Sequence, residues 1–406
     1  MEEIHRKVLE GILAERAAGV GGGGAARGGG GGGAARSGGG GSARAALHFA
    51  VPEGTGSIVG ACTYDPDDSD TWSDNDGEKI TDSWKVWGVD KAKVTSVTIP
   101  SSVTHIKKNA FAGCSSLRSV DIPTSVISIG AGAFDGCVKL KAVYISTSVI
   151  STGKNCFRGC RNLKSVNLTV LPGTTTLSLK DWDATIKKSV QDFVIPMSVT
   201  SITLKAFEGC ASLKSMVIPI SVTTLGDHAF SNCSAMENVE IPPSVTDIPV
   251  CAFNGCLALA SIDIPASVTS IGDFAFSGCS SLPLVDIPGS VTSVGQNAFW
   301  GCSLMTCVRI PMSMTSIGMH TFSGCNSMVS IHIPTSITSV GQHAFCGCSS
   351  LAGIEIPTSV TSIGTGAFAG CTSLTSVHIP NSVISVGKNV FYGCDALSHI
   401  DNQARR

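Results

Sequence analysis

Residues 356–378 read IPTSVTSIGTGAFAGCTSLTSVH, and this stretch decides the fold. Towards its end Leu374, Val377 and the following Ile379 alternate with Ser376 and His378, the period of two that a half-buried strand requires. Pro380 comes next and stops that strand, because it has no N–H to give to a neighbouring one. Val383, Ile384 and Val386 then form a second short β-prone run, closed by Gly387, which is free to take a positive φ at a corner. Phe391 and Cys394 are left to fill the interior behind a third side. The stretch is one three-sided coil, and a single coil cannot bury its own apolar face, so copies must stack.

The copies are present. Gly-Cys or Asn-Cys pairs place Cys at 114, 137, 160, 210, 233, 256, 279, 302, 325, 348, 371 and 394. Every step is 23 residues except the 50 between Cys160 and Cys210, which is two units with four residues inserted. Each of these Cys has a Phe three residues before it, from Phe111 to Phe391, and Ile99, Ile122, Ile195 and Ile218 keep the Ile-Pro phase through to Ile379. The chain is therefore built around a repeat array rather than two or three globular domains. Composition agrees, with 43% hydrophobic and 14% charged residues, ample for a core and too little charge for a disordered chain.

The motif IPxSVTSIGxxAFxGCxSLxSVxIP resembles the BspA-like, or Treponema-type, leucine-rich repeat, over roughly residues 94–402. The resemblance implies a mainly β repeat solenoid: a right-handed leucine-rich-repeat superhelix of about thirteen 23-residue units, with parallel strands on the concave face. The Asn of the commoner LxxLxLxxNxL repeat is absent, so no asparagine ladder is expected. Family members are often cell-surface adhesins.

Outside the array, residues 1–18 place Ile4, Val8, Leu9, Ile12 and Leu13 on one face of a short amphipathic helix. Residues 19–46 are a Gly/Ala/Arg-rich flexible linker, and its three arginines lack the interleaved aromatics of a nucleic-acid contact. Residues 47–93 are acidic and form an N-terminal cap in which Trp84 and Trp87 plug the open end of the core. Within them Asp74-Asn75-Asp76-Gly77 does not fit a calcium loop, because Trp72 and Ser83 would fall at its first and twelfth positions. Residues 403–406 are a polar tail. The start shows no signal peptide and no apolar run is long enough to span a membrane, so the expected location is cytoplasmic, with extracellular or cell-surface display as the alternative.

In a stack, function is read down columns. The Cys column is expected to be buried and reduced, since parallel Cβ directions do not suit disulfides, and the Phe column to stack in the core. One outward column of the strand face varies: Thr98, Asp121, Tyr144, Asn167, Val194, Val217, Glu240, Asp263, Asp286, Arg309, His332, Glu355, His378 and Asp401. Glu240, Asp263 and Asp286, on successive rungs, would favour a basic partner, or simply keep the face solvated. His332, Glu355 and His378 have metal-ligand chemistry, but two His two rungs apart are roughly 10 Å from each other, so no metal site is expected. Residues 169–194 form a degenerate unit, and Trp182, with Lys180, Lys187 and Lys188, is either an exposed anchor for a partner or a core replacement for the missing Phe.

No phosphate loop or nucleophile elbow is present, and the formal net charge of −2 gives no general attraction to nucleic acid. The sequence thus reads as a monomeric, non-catalytic scaffold without cofactor. It would bind a protein partner, of basic character where it meets the acidic strip, through the concave face. The alternative is a secreted or cell-surface adhesin.

Overall fold

The structure, a computed structural model, describes residues 90–402 apart from 100, 102, 150, 170, 172, 180, 181 and 192. The helix expected at 1–18, the linker, most of the 47–93 cap with Trp84 and Trp87, and the tail lie outside the described residues.

Asp90 opens the array by capping the 3-10 turn Lys91–Lys93, its carboxylate accepting from the Ala92 N–H at 3.1 Å. From there the chain coils as a parallel β-solenoid. Twelve strands of three to five residues, from Ser119–Asp121 to His399–Asn402, stack on one side, and thirteen two-residue strands, from His105–Ile106 to Ser385–Val386, stack on a second. All pairings are parallel and join residues one unit apart, as in Glu240 with Asp263 and Ile271 with Val294. The third side has no strands, yet its amides also cross between rungs: Phe230 N–H donates to Ala252 O at 2.8 Å and Gly278 N–H to Trp300 O at 2.7 Å. Every side of each coil is therefore tied to the next one, which meets the demand that buried backbone groups be paired.

The turns need unusual backbone. Gly278 and its counterparts just before each column Cys sit at φ near +73°, with Asn232 the one non-glycine there at +60°. A second left-handed position lies two residues before each Phe and is filled mostly by Asn, Gly or His, the first two of which bear such a φ best. Phe274, at φ 56°, is the exception that costs most, because a bulky side chain there is strained.

Inside, the columns pack as expected. Leu374, Val377 and Ile379 are buried while Ser376 and His378 are exposed. The rings from Phe207 to Phe391 stack in a file 5.2–5.7 Å apart with interplanar angles of 1–13°. All described cysteines are free thiols, and the column has a role beyond filling space. Each thiol from Cys233 to Cys394 donates to the carbonyl of the preceding rung's Phe at 3.1–3.4 Å, for example Cys279 to Phe253 O. Burial pushes the thiols of Cys210, Cys256 and Cys302 up to about 12. The Thr column works in the same way on the outside: Thr338 Oγ1 donates to Thr315 O at 3.0 Å, and Thr361 Oγ1 to Thr338 O at 3.1 Å.

Two of the breaks in these ladders coincide with a change of residue. The strand-face ladder stops between Ser261–Asp263 and Leu284–Asp286, because Pro283 occupies the position from which Ala260 N–H donates to Glu237 O and Thr306 N–H to Pro283 O. The second-side ladder stops between Ser293–Val294 and Ser316–Ile317, where Met314 and Thr321 replace the Val and Ala of other rungs. Thr321 is fully buried and its Oγ1 has no hydrogen-bond partner.

The degenerate unit settles the two readings of Trp182. Its exposure is only 6%, and its indole N–H donates to Val149 O at 3.3 Å, so the exposed-anchor reading is corrected. Trp182 falls five residues after Leu177, as Phe207 falls five after Ile202, and so takes the Phe position of its rung. A six-residue helix, Ala184–Ser189, then replaces the Gly-Cys turn and absorbs part of the insertion, with Asp183 as its N-cap accepting from Thr185 N–H at 2.9 Å. Lys187 on that helix is buried rather than displayed, while Lys188 is exposed.

Candidate functional site

The strand face is a surface on which neighbouring copies differ. The alternation that buries Val239, Val285 and Val308 turns the residue after each of them outward, so Glu240, Asp286 and Arg309 are exposed. Parallel register then sets the column: Val217 beside Glu240, Glu240 beside Asp263, Asp286 beside Arg309, Arg309 beside His332, His332 beside Glu355, and Glu355 beside His378.

The structure brings the expected column residues onto one face; Trp182, expected apart from that column, is buried in the core instead. One detail of the acidic strip changes: Glu240 and Asp263 are direct neighbours, but Asp286 starts a new sheet beyond the Pro283 break. The side chains of Glu240, Asp263, Asp286, Arg309, His332 and Glu355 form no hydrogen bond or ion pair with other described residues. Asp286 and Arg309 are opposite in charge and adjacent in register, yet both remain directed at solvent. Among the described residues no three His, Cys, Asp or Glu are placed to hold a metal ion.

Two flanking features were not read from the sequence. An open depression of about 760 Å3 lies on the strand face where Leu284, Asp286, Cys307, Arg309, Met312 and His332 meet. Leu284 and Met312 are 52% and 63% exposed, so its walls combine apolar area with one charge of each sign. N-terminal to the acidic strip, Val194, Met197, Val217 and Ile220 are 44–60% exposed on consecutive rungs. Reading the columns on either side of the varying one, where Leu284 and Met312 interrupt runs of small or polar residues, would have found both.

Stacked parallel strands, one coil per 23 residues and an inner file of Ile, Leu, Val, Phe and Cys define a leucine-rich-repeat solenoid. The model of the BspA type leucine rich repeat region matches residues 89–178, 184–306 and 303–405, and the chain belongs to that family. Among solved structures, it is similar to a leucine-rich repeat protein of Bacteroides ovatus at 26% identity, with 73% of this chain and 82% of that one covered and a TM-score of 0.48. A leucine rich cell surface protein of Faecalibacterium prausnitzii is 27% identical over 75% of this chain and 84% of its own, with a TM-score of 0.41. A leucine-rich repeat protein of Treponema pallidum is 33% identical over 40% of this chain and 76% of its own, with a TM-score of 0.37. No curated protein matches the chain. No helix among the described residues is long and apolar enough to cross a membrane.

Proposed function

We propose that the protein is a non-catalytic interaction scaffold that binds a protein partner along the strand face of its array. The observation that carries this reading is the contrast between columns. Inward positions repeat almost unchanged for twelve rungs, whereas the outward column from Val217 to His378 passes from apolar to acidic to basic and then to alternating His and Glu, and its charged side chains from Glu240 to Glu355 are left without partners among the described residues. A solenoid offers just such an extended surface. The segment from Glu240 to Asp286 favours a basic stretch of the partner, and the depression around Arg309 favours an apolar side chain followed by an acidic one.

The test is selection of peptides from a displayed random library on the whole chain, with counter-selection on a variant carrying Glu240→Lys, Asp263→Lys and Asp286→Lys. Enrichment of Lys and Arg in the selected peptides, and loss of their binding to the variant, is the expected result. Peptides that bind both forms equally would sink the proposal. The second reading is a surface adhesin using this same face; it draws on the cell-surface relative from Faecalibacterium prausnitzii, and detection of the native protein on intact cells would favour it.

A further inference from the structure

Charge is segregated along the array. Residues 91–214 hold sixteen Lys and Arg against six Asp and Glu, while residues 215–402 hold two against ten. The near-zero net charge of the whole chain hides this division.

Six of the cations of the first half share one edge of the strand face. Arg118, Lys141 and Lys164 occupy the same position on successive rungs, with Lys141 N–H donating to Arg118 O at 2.8 Å and Lys164 N–H to Lys141 O at 3.0 Å. Lys214 continues the column beyond Gln191, and Glu237 ends it. Lys139 and Arg161 lie on the adjoining turn, two and three residues before Lys141 and Lys164. All six side chains are exposed. None has an ion pair with a described residue: Asp135 is engaged by Arg158, and Glu208 by Lys205. Cations stacked at the separation of strands, about 4.8 Å, repel one another, and an anionic chain laid across them relieves that repulsion.

We propose that the occupant of this cationic edge is the chain's own acidic segment, residues 47–89. That segment holds nine Asp and Glu against two Lys, with eight of the nine between Asp65 and Asp82. It ends where the described array begins, at Asp90. Lys164 lies three rungs beyond the first turn, about 15 Å along the stack, and even the eight residues from Asp82 to Asp90 can span up to about 26 Å when extended. The tether keeps the anions at a high effective concentration next to the edge, an advantage that a free partner lacks. In this proposal the segment's carboxylates meet the cations along the side of the first rungs. This inference does not depend on the strand-face reading, which concerns the rungs after Lys214.

Zero-length carbodiimide cross-linking of the full chain, followed by separation of monomer from dimer and peptide mapping, tests it. The expected result is amide links between carboxylates of residues 65–82 and Lys139, Lys141 or Lys164 in the monomer fraction. Their yield should fall by about tenfold between 0.05 M and 0.5 M salt, as screening shortens the reach of exposed charges. Lys141→Arg with Lys164→Arg keeps the charge but removes two link sites, so links to Lys139 should persist. Lys141→Glu with Lys164→Glu should abolish those as well, with an unchanged circular dichroism spectrum. Links confined to the dimer fraction would overturn the proposal and assign the edge to the acidic half of a second copy. No link in either fraction would overturn it in favour of a foreign polyanion.

Discussion

Removing one ring from the Phe file should cost far more in the middle of the array than at its end. Phe276 is fully buried and stacked on Phe253 at 5.4 Å and on Phe299 at 5.3 Å. Phe276→Ala forfeits roughly 2 kcal/mol of transfer free energy. It also opens a void of roughly 80 Å3, worth about 2 kcal/mol at about 24 cal/mol per Å3. Two lost ring contacts add about 1 kcal/mol, giving about 5 in all. Phe391 is only partly buried, has one ring neighbour, Phe368 at 5.7 Å, and borders the exposed final rung, where Ile384 is 87% exposed. Its replacement by Ala leaves no enclosed void, so about 1.5–2 kcal/mol is expected. Urea unfolding followed by circular dichroism gives the overall loss. Hydrogen exchange shows where it falls: for Phe276→Ala, protection should drop on rungs both before and after residue 276, because each rung is stabilised by its neighbours. Equal losses at the two sites would refute the argument that rungs stabilise one another through the Phe file.

Alkaline pH should weaken the array through the Cys column. The folded thiols lie near 12, above their ordinary value, so the folded state holds protons that the unfolded chain releases. Stability is then complete below about pH 8.5 and falls as pH rises towards 12, by up to about 1.4 kcal/mol per pH unit for each such thiol. Cys302→Ala should flatten that slope by up to one proton, measured as the urea midpoint against pH; an unchanged slope would contradict the burial argument. Thr321→Ala removes a buried hydroxyl without a partner and should raise stability by about 1 kcal/mol in the same assay, whereas a loss would mean that the hydroxyl is satisfied. Phe274→Asn relieves a left-handed backbone at a 40% exposed site and should stabilise by about 1 kcal/mol, with a lowered midpoint as the contrary outcome.

The inward columns were legible because burial in a stack repeats with the chain period: Leu374, Val377, Phe368 and Cys371 each announce their place by recurring every 23 residues. What recurrence alone did not reveal is why the column is Cys rather than another small apolar residue. That depends on a carbonyl 26 residues earlier in the chain, close only once the coils are stacked. Trp182 had two readings because a four-residue insertion removes the register on which the column argument depends; the strand Thr176–Leu177 restores it. The outward column was readable in membership but not in continuity, since the break at Pro283 is a property of the backbone. The cationic edge was missed for a simpler reason: a summed charge near zero conceals two opposite halves.

Because each rung meets the next through the same thiol, ring and amide contacts, inserting or deleting one whole 23-residue unit leaves all of them intact. An insertion of four residues, by contrast, required a new helix. Chain length is therefore a ruler graduated in steps of about 4.8 Å. The separation between the cationic edge and the acidic strip can be lengthened or shortened one graduation at a time without redesigning the core.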